Sequence, residues 1–202
     1  MMIEINSFLF YTVLSSYISW FKHKETKYIG YVNSTINSTL IVLLEKYSMT
    51  LACKLYMGYL IYDLVSIINN LSEYKNSVGK QFIFHHVLCI YFIYNNYELV
   101  YPEYTSKMIQ MERTLPIMNL TWFCYYHKIE NIGVHFLKLL TVILYTYYRI
   151  YICGMLNYEN YINGISYKIQ FITWCIYMMN IKWYMGIVNM VKKTFNKLKI
   201  KN

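Results

Sequence analysis

Charge is scarce in this sequence. Of 202 residues only 14% are Asp, Glu, Lys or Arg, while 57% are hydrophobic. A water-soluble domain of this length usually carries about 25% charged residues, so the shortfall argues against a surface built for water. Proline and glycine are scarce too, with 2 and 7 residues, and no linker divides the chain. The five cysteines (Cys53, Cys89, Cys124, Cys153 and Cys175) contain no CxxC pair and mostly lie within apolar runs. That spacing excludes a disulfide framework and a zinc site, and no metal is expected. The N-terminus MMIEINSFLF lacks a basic leader and a small-residue cleavage site, which predicts a retained helix rather than a signal peptide.

Long apolar runs are abundant. Runs of eighteen or more residues recur along the chain, the mark of a helical membrane protein. The expected fold is all-α, a polytopic membrane bundle with spans near 3–21, 29–47, 51–71, 81–99, 106–126, 132–153 and 165–191. The net charge of +9 comes with no RNA-binding signature, so nucleic acid is excluded as a partner and the charge is assigned to topology. With the C-terminal tail placed in the cytoplasm, inside segments hold eleven lysines and outside segments only Lys46, Lys54 and Lys107. The N-terminus is then outside or lumenal. Sequons at Asn33, Asn37, Asn70 and Asn119 fall within spans or beside an inside loop, away from glycosylation.

Polar residues inside the spans are the candidate functional groups, because an ionisable side chain there costs roughly 2.5–3.5 kcal/mol on insertion scales. On span three, Tyr56, Tyr59, Asp63, Ser66 and Asn70 share a face; on span seven, Gln170, Thr173, Tyr177, Asn180 and Tyr184 do. Either stripe could be a hydrogen-bonded seam between helices. His85 and His86 interrupt the apolar run QFIFHHVLCIYFIYNNYEL. Helical rise puts Asp63 roughly 13 Å, and the histidines roughly 7–9 Å, from the inner ends of spans three and four. Asp63, His85 and His86 thus form an expected inner layer and candidate catalytic set, with Asn37, Asn119 and Asn180 in the inner halves of their spans. Glu112 and Arg149 form an expected outer layer, paired with each other. An aspartate beside a histidine fixes its tautomer for general-base work; the competing reading is a purely structural pair. Cys89 stands one turn beyond His85.

GYLIYDL followed by FIFHH, then MERTLPIMNLTWF and MMNIKWYMGIVNMVKK, resembles the TLC-domain family, multispanning membrane proteins that include the ceramide synthases. The last two stretches look like those of the family's small transmembrane branch. The resemblance implies a TLC-like domain over 29–193, preceded by a helix and basic loop at 1–28 and followed by a basic tail at 194–202. It implies a lipid partner, sphingoid or acyl, in an internal membrane such as the endoplasmic reticulum. In the synthases the paired histidines serve acyl transfer from acyl-CoA, the implied co-substrate; they match His85 and His86. The synthase signature continues with a further His-Asp pair, where this chain reads VLCIYFIYNNYELVYPEYTSKM, and a family histidine in the first core helix aligns with Asn37. Three readings stay open: binding, sensing or modifying an acyl lipid in an intramembrane cavity; a non-catalytic regulator of membrane composition or trafficking adaptor; and a transporter coupled through Asp63 and Glu112.

Overall fold

The structure is a computed structural model and describes all residues except Met1, 23–25, Lys75, 96–101 and Asn202. Lys24, Lys75, Glu98 and the end of the expected span 81–99 lie outside the described residues. Among these, every regular element is helical. In chain order they are α1 (Met2–Lys22), α2 (Thr26–Glu45), α3 (Met49–Asn69), α4 (Asn76–Asn95), α5 (Pro102–Met111), α6 (Leu115–Tyr126), α7 (Ile132–Tyr145), α8 (Cys153–Ile162) and α9 (Tyr167–Lys201). A 3-10 turn, Glu112–Thr114, joins α5 to α6, and a π-helical turn, Thr146–Ile152, joins α7 to α8. With those two pairs each counted as one, the described residues form seven helical segments, as the apolar runs predict.

Local chemistry sets the boundaries. Ser48 caps α3 by accepting from the Leu51 amide at 3.3 Å, and Asn131 caps α7 by accepting from Val134 at 3.0 Å. At the end of α6 the amides of Lys128 and Ile129 donate back to Tyr125 and Cys124, with Lys128 at φ 55°. Gly164, at φ 61°, closes α8 by the same double bond pattern. Both are left-handed terminations, for which glycine is the unstrained choice.

The chain packs as two compact units, Met1–Glu112 and Arg113–Asn202. In the first, α3 is central: it packs on α1, α2 and α4, while α5 packs on α2. In the second, α7, the π turn and α8 pack along α9, and α6 packs on α7. Each unit exposes large apolar side chains and buries polar ones among its apolar core. Asn33, Asn37, Asn160, Thr173 and Asn180 are fully buried, whereas Val13, Phe136 and Phe171 are each about two-thirds exposed. Water would select the reverse. In lipid an apolar side chain gains nothing by burial, and polar groups become the contacts between helices.

Among the described residues, two helices are long and apolar enough by themselves to cross a bilayer, Met49–Asn69 and Ile132–Ile162. The other helices of the bundle are less apolar by composition. The buried side chains carry the difference: α2 reads VNSTINST through its middle, and its polar face dilutes the hydropathy that its other face supplies. The helical ends also differ from expectation. α4 starts five residues before position 81, the last α7–α8 segment runs to Ile162, and α9 continues through the basic stretch to Lys201.

Candidate functional site

In the first unit, α3 and α4 bring Asp63 and His86 together, with His86 Nε2 2.9 Å from Asp63 Oδ2. The other ring nitrogen, Nδ1, lies 2.7 Å from the carbonyl of Phe82, one turn back on α4. A carbonyl only accepts, so Nδ1 carries a proton and donates it. The Nε2–Asp63 contact then needs one further proton, held by the imidazole or by the carboxyl. Asp63 and His86 therefore share a single proton as a neutral pair, which lowers the burden of burying either charge. Both nitrogens of His86 are committed.

His85 lies beside it, ring centroids 5.7 Å apart and the rings perpendicular. Successive helical residues point about 100° apart, so the two imidazoles meet different neighbours. Those of His85 include Cys89 Sγ, 3.7 Å from Nε2 and 3.8 Å from Nδ1. His85, His86 and Asp63 are each less than a tenth exposed. The second Asp63 oxygen faces α2 where Gly30 stands: a Cβ there would sit 3.7 Å from Asp63 Oδ1 and 4.0 Å from the Tyr74 hydroxyl. Tyr74 lies in the turn between α3 and α4. Burial holds its phenol above the ordinary range, so it stays a proton donor.

From Gly30 a polar column continues along α2. Asn33 donates to Ser15 Oγ at 2.6 Å and to the Tyr62 hydroxyl at 3.2 Å, and Ser15 and Tyr62 also bond each other. One turn further, Asn37 accepts from the Tyr11 hydroxyl at 3.0 Å. Residues of α1 thus complete the column. Glu112 is buried in the same unit.

The second unit holds a separate polar cluster. Arg149, buried in the π turn, donates through Nε to Thr114 Oγ1 at 2.9 Å and through Nη1 to Asn180 Oδ1 at 3.4 Å. Tyr145 donates to the same Asn180, and Asn180 Nδ2 lies 3.8 Å from Cys153 Sγ. The wider i→i+5 turn keeps residues four apart nearly in line, which aligns Tyr145, Arg149 and Cys153 toward α9. Below them, Thr173 bonds Asn160, and Gln170 bonds the carbonyls of Ile165 and Asn160. Asn119 is buried on α6. A shallow groove of about 350 Å³ opens on this unit, lined by Thr146, Ile150, Gly154 and Tyr177 among others.

The family model of the TLC domain matches residues 2–192. The chain belongs to the TLC-domain family. It is therefore an integral membrane helical bundle, from a family related to lipid metabolism and sensing. Searches of curated proteins and of solved structures find no match.

Within this TLC domain the inner cluster gathers Asp63, His85 and His86 as the helical depths predict, and Cys89 stands against His85. Asn180, expected in the inner halves of the spans, bonds Arg149, expected in the outer layer. Glu112 ends the first unit and Arg149 belongs to the second, so each is described with its own neighbours. The polar face of α9 is a seam: Gln170, Thr173, Asn180 and Tyr184 make hydrogen bonds to the end of α7, the π turn, α8 or the loop after it. Three buried sequons, at Asn33, Asn37 and Asn119, are closed to a glycosylating enzyme. The sequence reading overlooked Tyr11, Ser15 and Asn33. Their spacing on α1 and α2 was a visible signal, with Tyr11 and Ser15 four apart.

Proposed function

We propose that this TLC protein holds an acyl lipid, sphingoid or acyl in type, against the buried Asp63–His86–His85 cluster, and senses or modifies it. One observation carries the reading: the 2.9 Å Asp63–His86 contact with its shared proton, set inside a bundle whose outer surface is apolar. A titratable pair is expensive at that depth and is generally kept for function. In the catalytic form of this reading, acyl-CoA is the co-substrate. A base takes the proton of an amine or hydroxyl nucleophile, the new C–N or C–O bond forms at the thioester carbonyl, and CoA leaves as its thiol. His86, engaged at both nitrogens, is then the positioning residue, and His85 the group nearest to act as base. Asn37, Asn119, Asn180, Glu112 and Arg149 are assigned to lining and stability.

The second reading, a non-catalytic regulator of membrane composition, is favoured by one feature. The residues after His86 lack the His-Asp pair of the synthases. An internal membrane such as the endoplasmic reticulum suits either form.

The test is mass spectrometry of lipid co-purifying with the wild-type protein and with His85→Asn and His86→Gln, alongside turnover of acyl-CoA with a long-chain amine. Retained acyl lipid, lost from both variants while they stay folded, supports the site. Turnover in the wild type separates the enzyme from the regulator. Unchanged lipid in both variants overturns the proposal.

A further inference from the structure

The charge of this protein is divided unevenly. Residues 1–112 hold eight lysines and eight acidic residues; residues 113–202 hold eleven lysines and arginines and two glutamates, Glu130 and Glu159. The whole net charge of +9 thus belongs to the second unit. Among the described residues of that unit, one lysine is buried. Lys138, on α7, is 9% exposed, and its Nζ donates to Thr194 Oγ1 on α9 at 3.4 Å. Among the described residues this is its polar contact. Thr194 in turn donates to the Met190 carbonyl. An ammonium has three donors, and a single long bond to a hydroxyl leaves its charge uncompensated.

Among the described residues of this unit, no acid is placed to compensate it. Glu130 is exposed in the turn before α7, and Glu159 follows Lys138 by 21 residues, roughly 30 Å of helical rise. A second donor stands close by. His135 is three residues from Lys138 on the same face, and its Nδ1 is buried without a hydrogen-bond partner. On α9, Lys192 and Lys193 flank Thr194 in sequence and are exposed.

Depth identifies what such a site would meet. Ile132–Ile162 has 31 residues, about 46 Å of helix, which matches a bilayer with its headgroups at about 40–45 Å. Lys138 is six residues in from Ile132, about 9 Å, where phosphates meet the hydrocarbon. We propose that the contact between α7 and α9 at Lys138 and Thr194 is a binding site for the phosphate of an anionic phospholipid. Lys138 Nζ and His135 Nδ1 donate to it, and Lys192 and Lys193 form a basic collar outside. The site is independent of the lipid reading of the first unit.

The experiment is thermal unfolding of the full chain in neutral detergent with added phosphatidylglycerol, phosphatidylcholine or inorganic phosphate. Wild type should gain about 5 °C from saturating phosphatidylglycerol, and less than half of that from phosphatidylcholine. Lys138→Met keeps the length of the side chain and removes its charge, so it should be as stable as wild type in phosphatidylcholine and lose the phosphatidylglycerol gain. Lys138→Arg and the Lys192→Gln/Lys193→Gln pair should keep most of it. Equal gains from both lipids overturn the proposal, as does a gain retained by Lys138→Met or abolished by the surface pair alone. Protection by phosphate alone would show a free-anion site instead. Destabilisation of Lys138→Met in phosphatidylcholine would show that the lysine serves packing.

Discussion

His86 meets an acceptor at each nitrogen, the Phe82 carbonyl and the Asp63 carboxyl. This has a measurable consequence. An asparagine at position 63 can turn its amide N–H toward a neutral His86 and keep the contact, so Asp63→Asn should cost no more than about 1 kcal/mol. Asp63→Ala leaves a buried ring nitrogen without a partner, which costs about 1–3 kcal/mol. Thermal or denaturant unfolding of the two variants checks this. Equal losses would mean that the hydrogen bond between position 63 and His86 does not govern the stability of the pair. Both variants remove the proton held between the side chains, so both should lose any activity that depends on it.

At the scale of the element, small residues decide how closely helices approach. A Cβ added at Gly58 on α3 would lie 2.5 Å from Ser7 Cβ and 2.7 Å from the Glu4 carbonyl on α1. Backbone cannot yield there as a flexible side chain would. Gly58→Ala should therefore destabilise the protein by about 1–3 kcal/mol. Gly186 on α9 offers the control, because a Cβ there meets nothing within 4 Å. Gly186→Ala should be neutral or stabilising, by up to about 1 kcal/mol. Unfolding in detergent reads both, and similar effects at the two sites would contradict the close α1–α3 approach. The π turn belongs to this scale as well. Its buried Arg149 was recognisable as an intramembrane charge from the run TYYRIYI, but the turn itself, which aligns that residue with Tyr145 and Cys153, carries no signal in hydrophobic periodicity.

For the whole molecule, the lysine distribution predicts the N-terminus outside and the C-terminus in the cytoplasm. Protease protection of tags at the two ends tests it: opposite sides are expected, and a common side would remove one of the seven crossings. The same distribution has a second use. Topology accounts for lysines in the loops, and it leaves unexplained the lysine buried on α7, in the unit that carries all the net charge.

The sequence by itself determined the all-helical membrane class, seven helical segments and the faces that carry polar groups. These follow from hydropathy and a 3.6-residue period, which are local properties. It also marked Asp63 and the histidine pair as intramembrane titratable groups. Only the tertiary structure decided which faces meet. Asp63 is six residues from the end of α3, and His86 is ten residues into α4. The 3-10 turn Leu71–Glu73 and the early start of α4 at Asn76 are what bring them level. Asn180 went to Arg149, and Tyr11 of α1 to Asn37, for the same reason. Rotation and axial offset between helices are set by side-chain packing across the interface, and no single helix contains that information.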